Sequence, residues 1–218
     1  ILNLTNSAQL LGVVIAAQFL PGFFFSLYAG KLADKVNPKQ ALILCNLFAA
    51  GIAATLALLV LLNRVTTLHV ISAAFLLGVT NAIDGPIRQS YYVVLVGEDK
   101  LPSALSLNSA NINIGRFFGP ALAGVLIDHF GIGQAIFFNA CSYLFCAFSL
   151  VSIKPSGYLY IKARISTAPV LLRDGFKYVF SEKKLFYSIF AVSFLAMWGQ
   201  DMQFTSALMA KNVFQGSA

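Results

Sequence analysis

Charged side chains are scarce in this sequence. They make up 11% of its 218 residues, whereas a soluble domain usually carries about 25%, so the composition excludes an ordinary soluble globular domain. Apolar residues account for 58%, and a chain of this kind is solvated largely by lipid. The formal net charge of +7 therefore indicates an orientation signal and attraction to anionic headgroups, and no nucleic-acid partner is expected.

The residues that build metal and catalytic sites are also few. The three cysteines form no CxxC pair and have no histidine beside them, so they are interpreted as small buried hydrophobic residues. The two histidines, His69 and His129, lie by the same predicted face, and acids within apolar segments are sparse. No phosphate-cradling glycine loop is present, which argues against ATP-driven pumping. We therefore predict no catalytic residue, metal or cofactor.

Long apolar segments dominate what is present. A membrane span needs about 20 mainly apolar residues, and six segments meet this requirement. Short connections join them, except for the segment 154–184. The sequence thus predicts an all-α, polytopic membrane protein with spans at about 9–29, 40–62, 70–93, 103–127, 133–153 and 185–209.

Lysine and arginine are concentrated in alternate connections between these spans. The connections at 30–39, 88–100 and 154–184 carry three, two and seven of them, whereas the other face carries only Arg64 and Lys211. Because lysine and arginine favour cytoplasmic loops, we expect the first three connections to be cytoplasmic. The expected location is a plasma membrane, the bacterial inner membrane.

One short segment occurs twice, and the two copies differ in their lysines. Residues 30–41 and 124–135 share Gly, Leu, Asp, Gln and Ala at a constant offset of 94 residues. The lysines of the first copy, Lys31, Lys35 and Lys39, are absent from the second. Three predicted spans separate the copies and place them on opposite faces of a bilayer. Inverted repeats are typical of transporters, so we predict a helical bundle built of inverted three-helix repeats.

The segment 154–184 interleaves cations with apolar residues near helical spacing. It is either a helix lying on the cytoplasmic surface or a tether with chance periodicity. We predict an N-terminal transmembrane bundle at 1–153 that lacks most of its first helix, a cytoplasmic linker at 154–184, and the first helix of a C-terminal bundle at 185–218. The chain is expected to be a fragment of a longer protein, with material missing at both ends.

The fourth predicted span holds polar groups that are costly in hydrocarbon. An arginine at the centre of a span costs about 2.5–3.5 kcal/mol, so Arg116 is expected to face a bundle interior or a wet cavity. Asp201 lies at a similar predicted depth in another span. It either pairs with Arg116 and carries the transported proton, or it lies near the outer membrane face and is simply hydrated. Each asparagine is either an interhelical hydrogen-bonding group or a substrate contact. The candidates for a substrate and proton pathway are Asn108, Asn111, Asn113, Arg116, Trp198, Gln200 and Asp201.

A second set of residues is a candidate for conformational gating. The first copy of the repeat is either such a device or a plain turn with charged anchors. Asp84 and Arg88 flank Gly-Pro, so a regular helical ion pair is not expected, and they either hold a gate near the first loop or only cap a helix. In the fourth span, Gly115, Gly119 and Ala123 recur every four residues and form a smooth ridge for a neighbouring helix. The set comprises Gly30, Leu32, Asp34, Lys35, Lys39, Asp84, Arg88, Gly115, Gly119, Pro120 and Gly124.

Two of these segments resemble motifs of the major facilitator superfamily. Residues 30–42, GKLADKVNPKQAL, are similar to its cytoplasmic loop motif G-x-L-a-D-r-x-G-r-k-x-x-l and depart from it at Asn37 and Pro38. Residues 115–124 are similar to its antiporter motif in helix 5, with Ala123 in place of the first paired glycine. The run from 81 to 124 further resembles the enterobactin-exporter-like branch.

The resemblance implies alternating access by two six-helix bundles, with Asp34 helping to hold the cytoplasmic side shut. The six spans would correspond to helices 2 to 7 of twelve, with helices 8 to 12 absent. Members of this branch export siderophores, drugs or other amphipathic metabolites, usually with protons. The open alternatives are an uptake symporter of the same fold and a membrane scaffold or sensor that moves nothing; a membrane enzyme is disfavoured. The expected partners are the lipid bilayer, a small-molecule substrate and protons, while the residues specify neither the substrate nor an oligomeric state.

Overall fold

A computed structural model describes residues 8–33, 35–153 and 181–199, and all the regular elements in these ranges are α-helices. The chain divides into two compact units, Ile1–Ser166 and Thr167–Ala218. The first unit holds five of the helices and the second holds α6. The helices are α1 (Ala8–Ala33), α2 (Pro38–Leu61), α3 (Thr67–Val96), α4 (Leu101–Phe130), α5 (Ile132–Ser152) and α6 (Lys183–Gly199).

Four of these helices, α2 to α5, are long and apolar enough to cross a membrane. Among the described residues, α1 and α6 contain shorter apolar stretches, Gln9–Phe25 and Leu185–Phe194. Large apolar side chains such as Phe23, Phe117 and Phe145 are more than two-thirds exposed. Outward-facing apolar side chains on every helix are what lipid-facing surfaces require, and the all-α polytopic membrane architecture predicted from the sequence is confirmed.

Two helix pairs dominate the packing of the first unit, α1 with α3 and α2 with α5. The α1 and α3 backbones meet at Gly78, which lies against the backbone carbonyl of Gln18. In the second pair, small residues of α5 are buried at seven-residue steps, at Gly133, Ala140 and Ala147. Small residues let helix backbones approach closely, which is the usual basis of helix association in lipid.

The repeated segment forms the same structural feature twice. Asn37 is the N-cap of α2, and Gly131, at the matching position of the second copy, is the N-cap of α5. Gly131 alone joins α4 to α5 with φ of +84°, a conformation that glycine adopts without a steric penalty. Lys39 at the start of α2 contacts the end of α5, and Gly133 at the start of α5 lies against Leu61 at the end of α2. The two turns therefore lie at opposite ends of the α2–α5 pair, as the inverted repeat predicts.

The ends of α3 and α1 correct two of the predicted connections. Thr66 caps the start of α3, with its side-chain oxygen accepting from the His69 amide, and the helix then runs unbroken to Val96. The predicted connection at 88–100 is thus mostly helix, and only residues 97–100 link α3 to α4. Likewise, residues 30–33 of the predicted connection at 30–39 are the last residues of α1.

Candidate functional site

The turn between α1 and α2 carries the first copy of the repeat. Its amides at Lys35 and Val36 donate to the Leu32 carbonyl at 3.0 and 3.1 Å, which ends α1. Asn37 then accepts hydrogen bonds from the amides of Lys39 (3.1 Å) and Gln40 (3.4 Å), with Pro38 as the first residue of α2. An asparagine N-cap followed by proline is a strong helix start. The departure from the superfamily motif at Asn37 and Pro38 therefore supplies a helix cap. Asp34 lies outside the described residues.

An apolar cluster fixes this turn against α3. Its buried members are Ala33 at the end of α1, Leu42 on α2, and Ile87, Tyr91 and Val94 on α3. Ile87 is fully buried and Leu42 is 2% exposed. Because close-packed side chains transmit displacement between elements, a movement of α3 at this end must move the turn as well.

Asp84 and Arg88 form a bidentate ion pair on α3. Arg88 donates from Nε to Oδ2 of Asp84 at 2.8 Å and from Nη2 to Oδ1 at 3.1 Å. The expectation that Gly85-Pro86 would prevent a regular helical pair is wrong, since α3 continues through both residues. Proline removes only one backbone donor, and a helix packed by its neighbours tolerates that loss. The i, i+4 spacing then brings the two side chains together.

A small polar cavity of about 40 Å³ adjoins this ion pair. It is large enough for a water molecule. Two of its residues, Asn46 and Thr80, are buried, and each donates to a carbonyl of its own helix, at 2.8 and 2.9 Å. The sequence reasoning missed these residues, although single polar residues inside apolar spans are a usable signal. The lining residues are Cys45, Asn46, Ala49, Thr80, Asn81, Asp84, Arg88 and Tyr143.

A larger recess lies on the other side of α3, at the same end as the α1–α2 turn. Its volume is about 420 Å³. The predicted gating residue Gly30 lines it together with Gln89 and Ser90 of α3 and Leu101 and Leu105 at the start of α4. A space of this size, lined partly by polar side chains, is suited to a small organic molecule or to the side chains of an adjoining helix.

The polar residues predicted on α4 are placed on a largely unpacked helix. Among the described residues, none on α4 is buried. Asn108 is half-buried and accepts a hydrogen bond from the Tyr92 hydroxyl at 2.7 Å, which joins α4 to α3. Asn111, Asn113 and Arg116 are exposed, so their predicted place in a pathway stays a prediction.

The glycine ridge of α4 has no neighbour in the described part of the chain. A Cβ atom added at Gly115 or Gly119 of the ridge, or at the nearby Gly124, would meet nothing within 4 Å. The helix continues through Pro120. The proposed close contact of this ridge with another helix therefore also remains a prediction.

The remaining candidates lie apart from these. Trp198 belongs to α6, whereas Gln200 and Asp201 lie outside the described residues. Residues 154–180 of the predicted linker also lie outside them, and Lys183 and Lys184 at its end belong to α6. Within residues 8–33, 35–153 and 181–199, no group of three or more histidine, cysteine or acidic residues could hold a metal ion. The cysteines described there, Cys45, Cys141 and Cys146, are free thiols.

These features define the class of the protein: an all-α polytopic membrane protein with two turns related by an inverted repeat. The sequence profile of the transmembrane secretion effectors, a family of the major facilitator superfamily, matches residues 1–196. The chain belongs to that family.

A curated relative adds to this assignment. The chain is 31% identical over 130 residues to the staphyloferrin A transporter of Staphylococcus aureus (strain NCTC 8325 / PS 47). The alignment covers 58% of this chain and 32% of that protein, so the matched region spans about a third of the relative's length. No solved structure matches the chain significantly.

Proposed function

We propose that the full-length protein is a secondary active transporter that exports a small amphipathic metabolite, siderophore or drug, driven by protons. The observation that carries this proposal is the family match over residues 1–196. The similarity to a transporter named for staphyloferrin A supports a siderophore among the possible substrates. Membership of a transporter family also favours transport over catalysis.

The proposed mechanism is alternating access between two bundles. Residues 1–153 form most of the first bundle, 154–184 the cytoplasmic linker and 185–218 the start of the second. The connections at 30–39, 88–100 and 154–184 face the cytoplasm of a bacterial cell. The opposite placement of the two repeated turns supports this arrangement.

The proposed gate is the α1–α2 turn together with the adjoining part of α3. The apolar cluster of Ala33, Leu42 and Tyr91 ties the turn to α3, and the Asp84–Arg88 pair lies on the same helix. Gly30 lines the recess beside this turn, where a helix of the second bundle would close the cytoplasmic side. In this scheme, Asp34 and Lys35 contribute charge at the closing surface.

The proposed substrate and proton pathway runs along α4. Asn111, Asn113 and Arg116 present exposed polar groups in the middle of this membrane-length helix. An exposed arginine on a membrane helix is expensive in lipid, which favours a polar cavity beside it in the complete protein. Asp201 is the proposed proton carrier of this cavity.

The test is transport by the full-length protein reconstituted into lipid vesicles. Vesicles are loaded with siderophores, including staphyloferrin A, and with drugs, and efflux is followed with and without a pH gradient. Gradient-dependent efflux supports the proposal. Substrate movement only in the opposite direction would establish an uptake symporter, and the absence of movement for every substrate would favour a scaffold or sensor.

A matched variant tests the proton pathway separately. Asp201→Asn removes a titratable carboxyl group but keeps the side-chain size and polarity. We expect it to abolish efflux driven by the pH gradient while expression is retained. Unchanged flux in this variant would refute the role of Asp201 and leave the transport proposal standing.

A further inference from the structure

The helices α2 and α5 occupy matching places in the repeat but end in different ways. The last carbonyl groups of any helix lack intrahelical partners. In α2 the chain closes on itself: Asn63, with φ of +54°, donates from its amide to Val60 at 3.0 Å, and Arg64 donates to Leu59 at 2.9 Å. This pair of bonds is a Schellman motif. It leaves α2 independent of other elements for its capping.

The end of α5 shows no such closure among the residues that the structure describes. Ile153 leaves the helix in an extended conformation, with φ of −73° and ψ of 121°, and the last turn contains no basic residue. Instead, Nζ of Lys39, on the first turn of α2, donates to the carbonyls of Val151 at 2.9 Å and Ile153 at 2.8 Å. These bonds are charge-assisted, and a cation is favoured at the negative end of the helix dipole.

Only the first copy of the repeat makes this lysine contact. The position that matches Lys39 is Gly133, at the start of α5. A Cβ atom there would lie 2.7 Å from Cδ2 of Leu61, so a lysine at that position would require the Leu61 side chain to move. Thus the loss of this lysine from the second copy has a packing reason in addition to the membrane-orientation reason. The first copy has a lysine at the position that faces the end of α5, where the free carbonyl groups require a hydrogen-bond donor.

We propose that Lys39 is a positioning residue that caps α5 from α2 and fixes where the chain leaves the bundle at Ile153. The α1–α2 turn and the exit of α5 then move as one body. The role depends on the donor geometry at Nζ and not only on the positive charge of the loop. The inference concerns the first bundle alone and does not depend on the direction or driving force of transport.

The test is hydrogen exchange, measured by mass spectrometry, on the full-length protein in lipid vesicles. In Lys39→Met, amides at 150–153 should exchange about tenfold faster than in the unchanged protein, because an uncapped last turn opens more often. Lys39→Arg should restore protection, because guanidinium supplies equivalent donors. Lys100→Met removes another exposed lysine of the connections expected on the same side of the membrane and should leave these amides unchanged.

A charge-matched variant separates the cap from membrane orientation. Lys39→Met with Gln40→Lys keeps the loop charge but moves the donor by one residue, and exchange at 150–153 should stay fast. Exchange equal to that of the unchanged protein in this double variant, or in Lys39→Met itself, would overturn the proposal. If the methionine variants do not accumulate, Lys39→Ala replaces Lys39→Met in the same comparison. Fast exchange at 150–153 then supports the proposal, and exchange equal to that of the unchanged protein overturns it.

Discussion

Replacing Gly78 by alanine is the most direct test of how α1 and α3 pack. Gly78 is buried on α3, and a Cβ atom at this position would lie 2.9 Å from the carbonyl carbon and 3.2 Å from Cα of Gln18, with the carbonyl oxygen closer still. The obstacle is backbone, which no rotamer change relieves. The two helices would have to separate by at least about 0.5 Å to restore ordinary van der Waals contact.

The expected cost follows from two opposing effects. Overpacking of a close-packed contact costs about 1–3 kcal/mol. Alanine has the higher helix propensity and returns up to about 1 kcal/mol. We therefore expect Gly78→Ala to lower the free energy of unfolding by about 1–2 kcal/mol, because steric displacement of a whole helix outweighs the local gain.

Three other glycines provide graded controls. At Gly12 and Gly51 a Cβ atom would meet nothing within 4 Å, so alanine there should be neutral or stabilising. Gly133 is intermediate, since its obstacle is the flexible side chain of Leu61. The assay is thermal unfolding of the full-length protein in detergent, followed by its helical circular dichroism. Equal stability of Gly78→Ala and Gly12→Ala would refute the close approach of α1 and α3.

Three further predictions test other parts of the molecule. Tyr91→Phe should leave stability unchanged or raise it by up to about 1–3 kcal/mol in thermal unfolding, because the buried Tyr91 hydroxyl has no partner in the described part of the chain; a clear loss would contradict this. Asp84→Asn, Arg88→Met and their combination should give a coupling energy of about 1–2 kcal/mol, and additive effects would argue against the ion pair. Single cysteines at Lys35 and His129 should react with an impermeant reagent from opposite sides of the membrane, and reaction of both from one side would refute the inverted topology.

Local sequence patterns were sufficient to predict the membrane-length helices and the equivalence of the two repeated turns. The apolar length of α2 to α5 predicts four spans that the structure confirms. The matched segments at 30–41 and 124–135 predict two equivalent turns, and the structure has a helix N-cap at each, Asn37 and Gly131. These features follow from hydrophobic length and from turn residues, which act over a few neighbouring positions.

Local reasoning failed where a partner lies on another helix or where packing overrides propensity. Gly-Pro within residues 84–88 suggested an interrupted helix, but the neighbours of α3 keep it continuous and allow the Asp84–Arg88 pair. Asn46 and Thr80 stand out as polar residues in apolar spans, but their positions in the chain do not reveal that they line the same cavity. The partners of Lys39 lie more than a hundred residues away, at Val151 on α5 and at Ile153 just after it.

The sequence by itself therefore determined the membrane class, the helices and the inverted repeat, because each depends on residues close together in the chain. Only the tertiary structure decided which side chains meet. A membrane helix is apolar on nearly every face, so its sequence does not mark the side that faces its neighbours as the amphipathic pattern of a soluble helix does. The rotation and register of α2, α3 and α5 are set by small residues and close packing between them. For that reason Lys39 reaches the end of α5, whereas Gly133, its counterpart in the repeat, gives space to Leu61.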